Sequence, residues 1–350
     1  MLRQPPRGEA VRSRRAEDGF EPLTTSTHLS EIGEFGLIDR LRTLVGEPAE
    51  GEVWIGDDAA VLRAPAGTIL FTTDLLIEKV HFDLTLTGPE DLGYKAIAVN
   101  ASDVAAMGGV PRRAVVGLGL RRGLELEWVE SLYAGMRSCC EELDMAVVGG
   151  DLSRSEVLVI SVSLIGNPAG RLVVPRSGAR VGDIVCVTGT LGAGAAGLAL
   201  LRMGNESRPD LVEAHLRPKA RVREAEVLRR HLPTAMIDIS DGFAVDLGHI
   251  CEDSGVGVVV NAGALPLADL SGLELSRSAL QLALSGGEDY ELCFTIPEQR
   301  CEAAISAVIE ATGTPVTKVG EVVDAKRGRV LLLDTDERPL EAPGWDHLRV

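Results

Sequence analysis

Apolar residues along this chain recur at two alternating periods. "TILFTTDLLI" (68–77) reads as a strand, and "PEDLGYKAIAVNASDVAAMGG" (89–109) as a helix opened by Pro89, Glu90 and Asp91 and closed by Gly108 and Gly109. The strand "RRAVVGLGL" follows, and the next segment sets Leu124, Trp128, Leu132, Met136, Cys139 and Leu143 on one helical stripe. "MAVVGGD" and "VLVISVSLIG" complete a first half as strands. Upstream, "EIGEFGLIDRLRTLV" spaces Phe35, Ile38, Leu41 and Val45 as a helix does.

The turn-rich stretch "NPAGRLVVPRSGARVGD" makes the best boundary between halves. The second half restarts with a strand and helix in "IVCVTGTLGAGAAGLALL", then a basic-acidic helix around "KARVREAEVLRRHL", the strand "TAMIDIS" and the helix "DGFAVDLGHICED". "VGVVV", "ELCFTI", "TKVGEVV" and "RVLLL" read as strands, with helices near "SALQLAL" and at 298–312, whereas "RMGNESRPDLVEAHLRP" reads as polar turn. The pattern predicts an α/β (α+β) chain of two tandem α/β domains, 31–168 and 169–350. Residues 1–30, rich in Arg, Pro, Ser, Thr and Glu without apolar periodicity, read as a disordered extension.

Charge narrows the partners. Of 350 residues, 52 are acidic and 35 basic, a formal net charge of -17, which argues against a nucleic-acid backbone or an anionic membrane as partner. A phosphate ligand stays open, provided divalent cations lie between it and the carboxylates. The six cysteines form no CxxC pair, which fits reduced thiols. No apolar run is long enough to span a bilayer and no signal-peptide core is evident, so a soluble, cytoplasmic protein is expected.

"GAGAAG" (192–197) satisfies GxGxxG between a strand and a helix, but the acidic strand end expected some 20 residues later is missing, which favours close helix packing or a phosphate-facing turn over a dinucleotide site. Gly-Lys is nowhere followed by Ser or Thr, so there is no Walker A motif. Carboxylates instead recur at strand ends and helix starts: Asp57 and Asp58, Asp74, Asp151, Asp238 and Asp241. Each alone reads as an exposed turn acid; their recurrence at equivalent element ends reads as a site. Asp103 shares a helical face with Ala96, Val99, Asn100 and Met107 and therefore needs a partner, either a backbone amide, an arginine or a metal. Oxygen donors without clustered His or Cys point to Mg²⁺ rather than zinc. His81 lies beside a candidate acidic loop, and "SGGEDYEL" (285–292) reads as either a glycine-requiring turn or a substrate-binding loop.

In order along the chain, "GEFGLIDRL", "IGDDAAV", "TTDLLIEKVHF", "DLGYKAIAVNASDVAAMGG", "GGDLSRS", "RSGARVGDIVCVTGTLGAGAAGLALL", "HLRPKARV", "IDISDGFAVDLGHI" and "LSGGEDYELCFTIP" resemble the thiamine-monophosphate kinase family, within the aminoimidazole ribonucleotide synthetase-like superfamily. The resemblance implies two domains, the first paired with its copy in a homodimer, and a site for ATP, several Mg²⁺ ions and thiamine monophosphate. On matching positions it implies metal-binding roles for Asp58, Thr72, Thr73, Asp74, Asp103, Asp151, Asp238 and Asp241, with Asp74, Asp103, Asp151 and Asp241 central to catalysis. It implies ATP contacts for Gly150, Asp151, Arg176 and Ser240, and substrate contacts for His81, Glu288 and Trp345 of "GWDH". Asp57 is read as a support for Asp58, and Tyr133 as a residue that could approach the nucleotide.

The implied reaction is in-line transfer of the γ-phosphoryl group of ATP to the phosphate of thiamine monophosphate, which needs no strong base because the acceptor oxygen is already ionised. Aminoimidazole ribonucleotide synthetase is the nearest enzymatic alternative, against which "IEKVHF" and "SGGEDYEL" speak. A non-catalytic acidic metal-binding module and an NAD-dependent enzyme are the readings from other classes.

Overall fold

Strand β1 (Leu70–Ile77) alternates as a pleated strand must: Leu70, Thr72, Asp74 and Leu76 face inward, while Phe71, Thr73 and Leu75 face the other way. The computed structural model describes residues 37, 40–48, 69–170 and 173–340. There β1 edges a four-stranded sheet with β2 (Gly109–Leu120), β3 (Ala146–Arg154) and β4 (Val159–Pro168), in the order β1-β4-β2-β3. Helices α1 (Pro89–Ala106) and α2 (Leu126–Glu142) share its apolar core, joined by Leu37 and Leu41. Residues 40–45 are helical, as the spacing predicts; Phe35 and Ile38 lie outside the described residues. Tyr133 is buried in this core.

The second half forms a seven-stranded sheet in the order β11-β10-β7-β9-β5-β8-β6. Its strands are β5 (Asp183–Thr188), β6 (Ala235–Asp238), β7 (Gly257–Asn261), β8 (Leu292–Pro297), β9 (Val316–Val323), β10 (Arg329–Leu333) and β11 (Asp336–Pro339). Helices α3 (Ala193–Arg202), α4 (Pro209–Leu216), α5 (Val222–Arg230), α6 (Phe243–Ser254), α7 (Ala279–Ser285) and α8 (Glu298–Thr312) complete it. Pairing is parallel only at β2 with β3 and β10 with β7 among the described strands, so both sheets are mixed.

Two elements depart from the pattern-based expectation. The stretch read as polar turn contains α4, started by Pro209 at its first position and held by Leu211 and His215, which are buried. Only two of its eight residues face inward, too few for a readable stripe. Strand β11 was also unexpected; its residues are all exposed, so it has no alternation, and it is set by pairing with β10.

Two close approaches fix the architecture. A Cβ on Gly93 would lie 1.9 Å from the Leu132 carbonyl oxygen, and one on Gly135 would lie 1.8 Å from that of Glu90. Glycines on α1 and α2 thus let the helix backbones touch. On its other side α1 meets the second half, where Ala105 and Ala106 pack in one core with Val222, Leu228, Met236 and Phe294. Every residue from Leu92 to Ser102 is buried.

Gly135→Ala is expected to lower stability by about 3 kcal/mol, the upper end of overpacking costs, because the obstacle is backbone rather than a movable side chain. Urea unfolding measures this, and an unchanged midpoint would show that the helices do not cross at these glycines.

Candidate active site

The polar residues of α1 organise the seam between the halves. Thr72 Oγ1 donates to Asp103 Oδ2 at 2.5 Å, so the partner that Asp103 requires is a strand hydroxyl. One turn earlier, Asn100 Oδ1 accepts the backbone N–H of Asp74 at 3.0 Å. Ser102 Oγ donates to Asp238 Oδ2 at 2.6 Å, tying α1 to the end of β6. Asp74, Asp103 and Asp238, from three different elements, are thereby gathered at one place.

Their electrostatics follow from that crowding. Burial, reinforced by Asp103, pushes Asp74 up to about 6. Burial and the charge of Asp103 push Asp238 up to about 7. Asp103 is raised by burial against the opposing pull of the Thr72 hydrogen bond and Arg176. Nearby, Asp246 accepts the backbone N–H groups of Asp241 and Gly242, and burial with Asp241 and Asp238 carries it to about 8. Asp241, at the start of that turn, is half-buried.

Beside the aspartates opens a cleft of about 560 Å³. Asp103 and Asp238 line it together with the exposed Arg176, and Ile69, Phe71 and Met107 supply an apolar wall. The arrangement offers carboxylates and a guanidinium next to a surface suited to a flat apolar group.

Several residues singled out by resemblance lie elsewhere. Thr73 faces away from Asp74, donating to the Val162 carbonyl and meeting Ser163. The row Asp74, Val162, Val116, Gly150 crosses the whole sheet, which puts Gly150 three strands, ~14 Å, from Asp74. Asp151, exposed, shares the next row with Leu75, Ser161 and Gly117 on the outer face. Within one chain, pleat and strand order thus set Thr73, Gly150 and Asp151 apart from Asp74, Asp103 and Asp238. His81 folds back on its own strand, Nδ1 accepting the Ile77 N–H at 3.0 Å. Ser240 and Glu288 are joined through the backbone, the Glu288 N–H donating to the Ser240 carbonyl. Asp57, Asp58 and Trp345 lie outside the described residues.

The glycine-rich turn is closed to external anions. Asp289 accepts the N–H groups of Gly192 and Gly194 at 2.7 and 3.1 Å, filling the N-terminus of α3. A Cβ on Gly197 would lie 2.0 Å from the Leu211 carbonyl oxygen. Helix packing explains the motif, and the dinucleotide reading falls away. Sequence reasoning missed Asn100, Ser102, Lys95, His215 and Asp289. Lys95 carried a usable signal, a charge inside an apolar helical run, the same argument applied to Asp103; the others have partners far away in sequence.

The chain matches the patterns of AIR synthase related protein, N-terminal domain over residues 56–167 and of its C-terminal domain over 180–332. It is 39% identical over 326 residues to the thiamine-monophosphate kinase of Aquifex aeolicus (strain VF5), covering 91% of this chain and 99% of that one. The structure of thiamine-monophosphate kinase from Stenotrophomonas maltophilia K279a superposes with a TM-score of 0.76 at 35% identity, covering 84% of this chain and 95% of the other. That of AaThiL complexed with AMPPCP and TMP superposes with a TM-score of 0.72 at 38% identity, covering 93% and 100%.

Because Asp238 sits at about 7 in the folded chain against 3.8 ordinarily, the folded state keeps a proton that the unfolded state has released. Its contribution to stability is thus present at low pH and lost as pH rises through the folded value. Without divalent cations, Asp238→Asn should gain thermal stability relative to the parent chain between about pH 5 and about pH 8. A parent-to-variant difference in melting temperature that is constant with pH would show that Asp238 titrates as in water.

Proposed function

The chain belongs to the thiamine-monophosphate kinase family, and we propose that its acidic cleft binds ATP and passes the γ-phosphoryl group in line to the phosphate of thiamine monophosphate. The bond between the γ-phosphorus and the β,γ-bridging oxygen breaks, one to an acceptor phosphate oxygen forms, and thiamine diphosphate and ADP result. The observation that carries this reading is the convergence of Asp74, Asp103 and Asp238 beside Arg176 and an apolar wall. The acceptor oxygen is ionised near neutral pH, so the residues need only bind, orient and balance charge.

A hard divalent cation fits the donor set. Among the described residues no three His, Cys, Asp or Glu side chains close into a ready-made metal cage. Mg²⁺ does not require one, since one or two carboxylates complete its shell with waters and substrate phosphates. Oxygen-only donors that resist ionising until a positive charge arrives suit such an ion. Asp74, Asp103, Asp238 and Thr72 would hold it from the inner side, with Asp241 and Asp58 as further ligands. When bound, Mg²⁺ screens the polyphosphate and stabilises the charge of the transition state. Arg176 gives the nucleotide phosphates a fixed positive contact, and Ser240 a hydroxyl. Ile69 and Met107 favour the adenine ring; Glu288, His81 and Trp345 are assigned to the acceptor side.

The outer face of the four-stranded sheet supports a homodimer. Phe71, Leu75 and Val115 are 70%, 48% and 39% exposed on it, an apolar surface that a second copy would cover. Thr73, Gly150 and Asp151 lie on that face or its far edge and would take their roles across the subunit boundary.

Incubation with ATP, Mg²⁺ and thiamine monophosphate should yield thiamine diphosphate; turnover of formylglycinamidine ribonucleotide instead would overturn this reading. Asp74→Asn and Asp103→Asn should each lower kcat by at least about a hundredfold with the fold retained. Near-normal turnover in either would remove the carboxylates from the mechanism. Phe71→Asp with Leu75→Asp should convert a dimer to a monomer in light scattering, and an unchanged mass would place the interface elsewhere.

A further inference from the structure

The loop from Ser285 to Glu291 is held in a shape the chain does not adopt readily. Gly287, Glu288 and Tyr290 have φ of 68°, 60° and 51°, and the latter two are side-chain-bearing residues in left-handed backbone. Besides the ion pair of Glu291 with Arg221 at its end, three sets of contacts hold its middle. The backbone N–H groups of Glu288 and Tyr290 donate to the carbonyls of Ser240 and Ile239, laying the loop along the segment that leads from Asp238 to Asp241. Asp289 is bound into the N-terminus of α3. Glu288 points the opposite way, toward α1.

There it meets Lys95, whose ammonium is buried 3.0 Å from Glu288 Oε1 and donates to the His215 carbonyl at 3.1 Å. His215 Nδ1, also buried, lies 3.1 Å from Glu288 Oε2 without the alignment of a hydrogen bond. Burial disfavours the Glu288 carboxylate, but the charge of Lys95 outweighs it and holds the group below the usual carboxylate range. The same burial, with Lys95 close by, lowers His215, so the imidazole is a neutral partner.

Lys95 stands on the helix that carries Ser102 and Asp103, ~10 Å along its axis from Ser102. One rigid element therefore grips the loop through Lys95 and the acidic cleft through Ser102 and Asp103. We propose that Lys95 is a positioning residue that sets where Glu288 and its loop stand relative to the acidic cleft, and so controls binding of the acceptor rather than of ATP. His215 supports the same carboxylate from the second half. The inference rests on assigning the loop to the acceptor side, as in the proposed function.

Steady-state kinetics on the full chain test it. Lys95→Met should raise KM for thiamine monophosphate about tenfold or more while KM for ATP moves less than about twofold. Glu288→Gln should shift the same constant, and the double variant should be no worse than the worse single one, since both act through one contact. Should Lys95→Met fail to fold, His215→Asn reads the weaker arm, with a rise of about threefold in the same KM alone. Parallel rises for both substrates, an unchanged acceptor KM, or effects that multiply in the double variant would each overturn the proposal. If the parent chain does not phosphorylate thiamine monophosphate at all, it is the functional reading that fails, and the variants are not needed to show it.

Discussion

Helix α1 has almost no side that faces water. It lies between the two halves with Leu92 to Ser102 buried, so each polar side chain on it must find a partner inside the protein. Lys95 finds Glu288, Asn100 the backbone of Asp74, Ser102 finds Asp238, and Asp103 finds Thr72. These partners belong to the strands and loops that build the cleft. The need to satisfy buried polar groups on one helix thus fixes the relative placement of a strand from the first half and a strand end and loop from the second.

That placement holds three like charges together. In a ligand-free chain the repulsion is relieved by proton uptake, which is why Asp74 and Asp238 stand well above the usual carboxylate range. Arg176, exposed at the rim, compensates only in part. The folded chain therefore presents a site with an unmet demand for positive charge. A hard cation meets that demand without the loss of ionisation that a proton brings.

Much of this was legible in the residues. The alternation of strands and helices follows from periodicity, and Asp103 declared its need for a partner by sitting on an apolar face. What was hidden depends on distance along the chain or on the choice of neighbour. Thr72 and Thr73 are adjacent, and only pairing against β4 and α1 shows that one joins Asp103 while the other faces Ser163. Asp151 sits at a glycine-rich strand end as Asp74 sits in its strand, yet strand order places them at opposite edges. Helix α4 was obscured because two buried residues and a leading proline leave no stripe. Asp289 could not be matched to Gly192 by inspection, since nothing local links a carboxylate to a helix start so far upstream.

The occupied start of α3 bears on which anions this protein admits. A helix N-terminus is ordinarily the place where free phosphate or sulfate settles without help, and here the chain has spent it on its own Asp289. In the proposed function a polyphosphate binds instead at the seam, where ionised carboxylates would repel an anion that arrives alone. Selection would then act on the coordination state of the visitor as well as on its shape. Under the proposed function, a phosphate that travels with its counter-cation would be accepted and the same phosphate stripped of it turned away.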